Sequence, residues 1–302
     1  MRYWLVMPAA GVGRRFGEAV PKQYADLHGR TVIEWSLAPF LYDSRCWGVV
    51  VVLGPNDHYW PTVAARLPDE TGSTHATEAS IAAALADATR VAERVAARTG
   101  GRAVAGRAEG QEEGYSDPGL SLPTMPAVTL PRVVTAMGGK ERSDSVRNGL
   151  AALSGRAGAD DWVLVHDAAR PCVSRQDVDR LLDRVQSHPI GGLLAAPAAD
   201  TLKRAGANKD VLETVDRASL WRALTPQMFR YGGLREALDR ALASGRSPTD
   251  EAQALEWMGQ RPLIVEGSTT NIKITSADDL VIAVALLAAH SGLGNTEEEQ
   301  PT

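Results

Sequence analysis

Cysteine is scarce in this sequence, and its scarcity excludes one class of protein. Only Cys46 and Cys172 occur among 302 residues, and they do not have the spacing of a metal site. A disulfide scaffold or a thiolate zinc module is therefore excluded. Two isolated thiols are typical of a reducing compartment, so the sequence predicts a cytoplasmic protein.

The sequence also lacks an excess of positive charge and a long apolar run. The formal net charge is -5, which gives no general attraction to nucleic acid or to an anionic membrane. The apolar segment at residues 280–289 is much shorter than the ~20 residues that span a bilayer. Residues 3–10 are apolar, but glycines and arginines follow where a signal peptide would have its cleavage site. We therefore expect no nucleic-acid or membrane partner, and a small ligand.

The chain does contain an alternation of apolar strands and helices. Its 302 residues, 44% of them hydrophobic, suffice for a full core. The pattern predicts strands at residues 3–7, 48–53, 132–136, 162–166 and 192–197, and helices at 31–41, 143–153, 175–185 and 280–289. Continuous apolar strands separated by helices indicate an α/β, Rossmann-like fold with a mostly parallel sheet and helices on both faces.

Two stretches interrupt this alternation. Residues 64–131 contain one amphipathic helical pattern at 77–98, and residues 99–126 are rich in Gly, Ala, Arg, Glu and Pro, a composition that offers little to bury. The polar, acidic residues 291–302 are typical of a disordered tail. We therefore expect a single domain over residues 1–290, with a partly disordered insertion at about 64–131.

A glycine-rich loop with three cations follows the first predicted strand. Glycines at 11, 13 and 17 let backbone N–H groups approach phosphate oxygens, and Arg14, Arg15 and Lys22 add positive charge. A dinucleotide fingerprint fits poorly because Phe16 stands where its third glycine belongs, and no P-loop Gly-Lys-Ser/Thr follows. The glycines alone would favour a surface turn with solvated arginines. The added cations favour a polyphosphate site.

A second candidate site lies at the end of the strand predicted at residues 162–166. Asp167 follows that strand, at the position where open α/β sheets bind ligands, so its carboxylate suits Mg²⁺ and nearby Arg170 suits a phosphate. A helix-capping role for Asp167, before a helix beyond Pro171, is equally open on this segment alone. His166 is more typical of a hydrogen-bonded structural histidine than of a metal ligand.

A β-hairpin is predicted at residues 201–215, with its turn at 206–210. An arm that projects from the sheet suggests dimerisation. Thr201 and Arg217 flank the hairpin and are candidates to bind an anionic substrate, although a solvated arginine is the usual alternative.

Three shorter motifs add candidates. Paired glycines at 138 and 139 allow close backbone approach, Ser145 can bond a sugar or base, and Ser143 is a candidate helix cap. Thr249 opens a helix in capping style. Residues 271–274 predict a late strand that carries Lys273.

In chain order these motifs resemble one family, the 2-C-methyl-D-erythritol 4-phosphate cytidylyltransferases of the non-mevalonate isoprenoid pathway. The matching segments are P-A-A-G-V-G-R-R-F at 8–16, P-K-Q-Y at 21–24, G-G-K-E-R-S-D-S-V at 138–146, V-H-D-A-A-R-P at 165–171, D-T-L-K at 200–203, T-V-D-R at 214–217, L-T-P-Q at 224–227, T-D-E-A at 249–252, V-E-G at 265–267 and N-I-K-I-T at 271–275. They cover nearly the whole chain outside the insertion and the tail. The resemblance implies a nucleotide-diphospho-sugar transferase type of fold and a homodimer formed through a β-arm at about 200–224.

The resemblance also implies an activity and a set of site residues. Such enzymes transfer CMP from CTP to a sugar-alcohol phosphate and release pyrophosphate, with Mg²⁺ or another divalent cation held at Asp167. The catalytic residues would be Arg15 and Lys22. The nucleotide would contact Ala9, Ala10, Gly11, Gly139, Ser145 and Ala168. The acceptor would contact Arg170, Arg217, Thr249, Lys273 and, from the other subunit, Thr201.

The implied reaction agrees with the residue types in the motifs. A phosphate monoester is already anionic near neutral pH, so no general base is required, and the cations neutralise the charge that develops at phosphorus and on pyrophosphate. Lys140 departs from the family pattern, which often has a small or acidic residue there, and it is not included in the predicted site.

Two alternatives remain at this level. A cytidylyltransferase acting on ribitol 5-phosphate shares the loop chemistry and differs in the acceptor pocket. A non-catalytic nucleotide-binding regulator can share the fold, although it would not need to keep Arg15, Lys22, Asp167 and Lys273.

Overall fold

A computed structural model describes residues 1–11, 20–67 and 132–290. The strands are β1 (Tyr3–Pro8), β2 (Asp26–Leu27), β3 (Arg30–Thr31), β4 (Cys46–Leu53), β5 (Arg132–Met137), β6 (Trp162–Val165), β7 (Gly191–Pro197), β8 (Leu202–Ala205), β9 (Val211–Val215), β10 (Trp221–Arg230) and β11 (Leu263–Glu266). The helices are α1 (Val32–Leu41), α2 (Trp60–Ala64), α3 (Arg142–Ala152), α4 (Arg175–Val185), α5 (Tyr231–Ala243), α6 (Glu251–Glu256) and α7 (Ala277–His290), with a 3-10 turn at Lys22–Tyr24.

Seven strands form the central sheet, in the order β11, β7, β10, β6, β1, β4, β5. β1 runs parallel to both of its neighbours, and β5 and β11 join their neighbours in parallel. β10 alone in this sheet is antiparallel, between β6 and β7. The predicted mostly parallel sheet is confirmed.

Helices cover both faces of the sheet, as the alternation of side chains along β1 illustrates. Leu5 and Met7 pack into one buried cluster, together with side chains of α1 and α4. Val6 between them enters the opposite cluster, with side chains of α3 and α5. Successive side chains of a strand point to opposite faces, so a fully apolar β1 requires helices on each side.

Two strands of the sheet were not predicted, and β10 shows why. Its sequence places Thr225, Pro226 and Gln227 inside an apolar run, which disguises a strand. In the structure the register with β7 shifts between Ala223 and Gln227. At this irregularity, a feature common near functional sites, the Thr225 hydroxyl accepts a hydrogen bond from the Asp167 N–H (3.1 Å). β11 is only four residues long.

The predicted strand at residues 271–274 is wrong. Lys273 lies in an irregular segment after β11, whose backbone bonds a loop instead of a neighbouring strand. The Ile274 N–H donates to the Ala169 carbonyl (2.8 Å), and the Asn271 side-chain amide donates to the Thr225 carbonyl (2.7 Å). An apolar alternation alone does not make a strand, because the backbone must also pair with a neighbouring strand.

The predicted capping of α3 by Ser143 is also wrong. The helix begins one residue earlier, at Arg142, and Glu141 is its N-cap. The Glu141 N–H donates to the Asp144 carboxylate (3.1 Å), while the Ser143 hydroxyl lies 3.0 Å from that of Ser247. By contrast, the helix expected after Thr249 is present as α6, where the Asp250 carboxylate accepts from the Gln253 N–H (2.9 Å).

The predicted hairpin is present as β8 and β9, which pair antiparallel in a sheet of their own. Leu202, Val211 and Leu212 on these strands are exposed, the last two by about 60% of their surface (63% and 60%). Within the described ranges, every helix falls short of the length and hydropathy needed to cross a membrane.

Three predictions fall outside the described residues. They are the role of Arg15 within the glycine-rich loop, most of the insertion at 64–131 and the tail at 291–302.

Candidate active site

A cavity of about 210 Å³ opens where the loops after three sheet strands meet. Residues 9–11 follow β1, Gly139 follows β5, and Asp167 follows β6. Carboxyl ends of parallel strands share one edge of a sheet, which is where open α/β folds bind ligands. Nine predicted site residues line this cavity: Ala9, Ala10, Gly11, Lys22, Gly139, Ser145, Asp167, Ala168 and Lys273.

The glycine pair after β5 is required by close packing. A methyl group on Gly138 would lie 2.3 Å from the Cβ of Ala10, and one on Gly139 would lie 2.3 Å from the Cβ of Asp144. Both distances are far inside van der Waals contact, so only glycine lets this loop approach the loop after β1 and the first turn of α3. Among the described residues, nothing lies within 4 Å of the corresponding position on Gly11.

Ser145 and Gln23 hold the loops after β5 and β1 in place. The Ser145 hydroxyl accepts from the Gly139 N–H (3.1 Å) and donates to the Glu141 carbonyl (3.2 Å). The Gln23 amide donates to the Ala9 carbonyl (2.9 Å) at the end of β1. Ser145 therefore shapes the loop as well as lining the cavity.

Asp167 is the centre of a charge cluster on the other side of the cavity. Its Oδ1 accepts from Arg142 Nε (2.9 Å), its Oδ2 accepts from Lys273 Nζ (2.7 Å), and Arg170 Nε lies 3.9 Å from Oδ2. Arg142 also makes a bidentate pair with the buried Glu251, at 2.7 and 3.1 Å. Among the described residues of this cluster, three cations face two carboxylates, and the net charge of plus one favours an anionic ligand.

The cluster sets the ionisation of its carboxylates. Burial alone would raise the pKa of Asp167, but Arg142 and Lys273 hold that pKa well below its usual range. Burial raises the pKa of Glu251, and the Arg142 guanidinium opposes the rise. Asp167 is therefore ionised at every pH at which the protein would work.

Lys22 reaches the same side of the cavity from the N-terminal part of the chain. Its Nζ donates to the carbonyl of Ile274 (3.0 Å), next to Lys273. The two lysines thus lie on adjoining segments, although 251 residues separate them in sequence. Together they can contact phosphate groups from two directions.

His166 has a structural role. Its Nε2 lies 3.2 Å from the Arg170 carbonyl, which can only accept, so Nε2 carries the proton. Nδ1 then accepts from the Thr225 hydroxyl (3.0 Å), which in turn accepts from the Asp167 N–H (3.1 Å). Complete burial lowers the pKa of His166 to about 4, so the ring is neutral and orients the backbone of Asp167.

Four predicted acceptor residues lie away from the cavity lining. Arg170 is buried, and its guanidinium donates to the Asn271 carbonyl (2.7 Å), which ties two loops together. Thr201 and Arg217 are exposed at the base of the hairpin, and exposed Thr249 bonds Gln253 at the start of α6. The structure does not bring the last three to the described cavity.

The fit of a divalent cation depends on Asp167. In the described ranges, no three His, Cys, Asp or Glu side chains cluster as metal ligands. Mg²⁺ is often bound by one or two carboxylates together with substrate phosphates and water. A single ionised carboxylate that lines a cavity of about 210 Å³ fits that mode, with Lys273 as the group that the cation would displace from Oδ2.

Arg142, Glu251, Gln23 and Thr225 belong to the site but were not predicted. Each lies inside a motif that the resemblance quotes, and Gln23 directly follows Lys22, which was predicted. The usable signal was a charged residue at the start of an otherwise apolar helix, such as Glu251 before Ala252, Ala254 and Leu255, because a buried charge requires a partner.

The Rossmann-like sheet and a cationic, glycine-lined cavity at its carboxyl edge define a nucleotidyltransferase. The family model of IspD, 2-C-methyl-D-erythritol 4-phosphate cytidylyltransferase, matches residues 3–106 and 120–289. The chain therefore belongs to this family of cytidylyltransferases, whose reaction serves isoprenoid synthesis.

Individual relatives agree with this assignment. The protein of that name from Pseudomonas putida (strain GB-1) is 41% identical over 279 residues, 92% of each chain. The one from Pseudomonas aeruginosa (strain UCBPP-PA14) is 42% identical over 280 residues, 92% of this chain and 93% of the relative. The crystal structure of the Francisella tularensis enzyme matches with a TM-score of 0.64 at 29% identity, covering 95% of this chain and all (100%) of that one. The ribitol 5-phosphate alternative is not favoured.

Proposed function

We propose that this chain forms 4-diphosphocytidyl-2-C-methyl-D-erythritol and pyrophosphate from CTP and 2-C-methyl-D-erythritol 4-phosphate in the described cavity. The observation that carries the proposal is the cationic cluster around Asp167, joined by Lys22, beside loops that only glycine permits. Two polyanions must meet in this reaction, and such a site offsets their repulsion.

The chemistry follows from the residues at the site. A phosphate oxygen of the acceptor attacks the α-phosphorus of CTP, a new P–O bond forms, and the bond to the β-phosphate breaks as pyrophosphate leaves. The attacking oxygen is already anionic, so no side chain has to remove a proton. This agrees with His166 being neutral and committed to Thr225 and Arg170.

Each predicted residue takes a role in that reaction. Lys22, with Arg15 from outside the described ranges, stabilises the charge on the transferring and leaving phosphates. The loops at Ala9–Gly11, Gly139, Ser145 and Ala168 bind the nucleotide through backbone N–H groups and the Ser145 hydroxyl. Lys273 leaves its contact with Asp167 and binds the acceptor phosphate, while Arg170 holds the adjacent loop in place.

A divalent cation, most simply Mg²⁺, would be held by Asp167. When bound, it supplies further neutralisation of the triphosphate charge. Removal of divalent cations with EDTA should abolish turnover, and added Mg²⁺ should restore it.

A homodimer would complete the acceptor site. The hairpin pairs with no other strand of the described chain and exposes Val211 and Leu212, which is typical of an arm that packs on a second copy. Thr201 and Arg217 are not among the residues that line the cavity of their own chain. We propose that Thr201 reaches the partner's cavity, and that Arg217 and Thr249 join the acceptor contacts.

The domain organisation and location are proposed on the same basis. Residues 1–290 form one catalytic domain, residues 64–131 are an insertion within it, and residues 291–302 are a tail. Cys46 and Cys172 are both buried free thiols, which suits a reducing cytoplasm.

A pyrophosphate-release assay tests the proposed function directly. The purified protein, CTP and Mg²⁺ are combined with 2-C-methyl-D-erythritol 4-phosphate or, in a parallel reaction, with ribitol 5-phosphate. We expect release with the first acceptor and at least tenfold less with the second, roughly the 1–3 kcal/mol that a changed pocket contact provides. CTP binding without release for either acceptor would instead identify a regulator.

A further inference from the structure

Glu251 is a buried charge that does not contact the cavity. It is only 1% exposed, and it opens α6. Burying a carboxylate is costly unless it is paired, and its partner is the fork of Arg142: NH1 to Oε1 at 2.7 Å and NH2 to Oε2 at 3.1 Å. The proposed reaction itself gives this pair no task.

Glu251 is mounted on a rigid support. The side chain of Gln227 in β10 joins α6 to the sheet in two places. Its Oε1 accepts from the Ala252 N–H (2.9 Å), and its Nε2 donates to the Asp250 carboxylate (2.9 Å). The start of α6 is therefore fixed to the central sheet on either side of Glu251.

Arg142 transmits that position to Asp167. A guanidinium is planar, so a bidentate pair at its two terminal nitrogens also fixes the direction of the Nε–H bond. That bond points to Asp167 Oδ1, at 2.9 Å. Glu251, which does not line the cavity, thus holds one of the two carboxylate oxygens of Asp167 through Arg142.

The other oxygen has a different kind of partner. Lys273 Nζ lies 2.7 Å from Oδ2, on a side chain that is 39% exposed. An ammonium on a flexible stem can change partners, as it must when the acceptor phosphate arrives. At that moment the Arg142 contact is what keeps the carboxylate from rotating.

We propose that Glu251 is a positioning residue for nucleotidyl transfer: through Arg142 it holds the Asp167 carboxylate in its reactive orientation while Lys273 passes to the acceptor phosphate. This inference rests on the proposed function. It predicts that Glu251 affects the chemical step through Asp167 and leaves CTP binding almost intact.

The first test is a kcat and KM comparison at saturating Mg²⁺. Glu251→Gln should lower kcat about 10- to 100-fold, the range expected for a misplacement of about 1 Å, with the KM for CTP within about twofold. Glu251→Asp, which keeps the charge, should recover part of the loss. Glu256→Gln, the same change at the exposed end of α6, is the matched control and should behave as wild type.

The second test repeats Glu251→Gln in an Asp167→Asn background, with radiolabelled CTP to follow slow turnover. If Glu251 acts through Asp167, the added loss should be less than about twofold, because coupled residues are not additive. An equal loss in both backgrounds, or a folded Glu251→Gln protein with wild-type kcat, would overturn the inference. If Glu251→Gln does not fold, Glu251→Asp takes its place in the cycle. Inactivity of the wild-type protein would instead refute the proposed function.

Discussion

Gly149, in the middle of α3, provides a quantitative test of how that helix is held against the sheet. A methyl group there would lie 2.5 Å from Val6 Cγ1 and 2.8 Å from Val52 Cγ2. The first distance is about 0.9 Å short of the 3.4 Å of an ordinary contact, and both neighbours are fully buried. Gly149→Ala must therefore push α3 away from β1 and β4 by up to about 1 Å, since a close-packed core has little space to give.

The size of the effect follows from two opposing contributions. Overpacking of a core costs about 1–3 kcal/mol, whereas alanine is about 0.5–1 kcal/mol better than glycine inside a helix. We expect a net loss of about 1–2 kcal/mol in the free energy of unfolding. Because α3 begins with Arg142 and carries Ser145, kcat should fall as well, since a shift of about 1 Å can cost up to 100-fold.

The assay compares two alanine substitutions by urea unfolding and by pyrophosphate release. Gly233→Ala in α5 is the control, because nothing lies within 4 Å of its added methyl group. It should leave stability unchanged or raise it by about 0.5 kcal/mol, with normal turnover. A Gly149→Ala protein as stable and active as the control would refute the close packing of α3 on the sheet.

Three further predictions concern the site, its pH dependence and the hairpin. Lys22→Ala should lower kcat more than about tenfold while the Kd for CTP changes little, and an unchanged kcat would remove Lys22 from the mechanism. Burial lowers the pKa of His166 to about 4 in the folded chain, whereas in the unfolded chain its ring binds a proton near pH 6.5. As the pH is lowered from about 6.5 to about 4, the free energy of unfolding should therefore decrease by up to about 1.4 kcal/mol per pH unit. His166→Gln should flatten this slope, and an equal slope would contradict a buried neutral ring. Replacing Val211 and Leu212 together by lysine should give a protein that sediments as a monomer and has low activity in the pyrophosphate-release assay. An intact dimer would exclude the exposed hairpin as the interface.

The sequence predicts the parts of this molecule that depend on neighbouring residues. β1 and β4 are continuous apolar runs because both faces are buried, and one side of the cavity consists of short loops directly after strands, such as Ala9–Gly11 and Gly139. These features are local, so hydrophobic periodicity and glycine placement are sufficient to find them.

The parts that could not be predicted depend on contacts between distant residues. Arg142 and Glu251 are 109 positions apart, and Lys273 meets Asp167 across 106. The apolar residues after Glu251 indicate that this end of the helix is buried, but its partner Arg142 is identified only once the topology is known. Likewise, the irregular backbone around Lys273 is determined by the Ala169 loop that it bonds, which its own alternating residues do not reveal.

The contact between Lys22 and the Ile274 carbonyl also bears on how the enzyme becomes active during its synthesis. The loops at Ala9–Gly11, Gly139 and Asp167–Ala168 have all been translated once residue 168 is made, but the segment that carries Lys273 is made about a hundred residues later. A nascent chain therefore contains these loops before it contains the lysine that pairs with Asp167. The described cavity is complete only when this late segment has folded back onto the first part of the chain, so the two ends of the sequence close the site together.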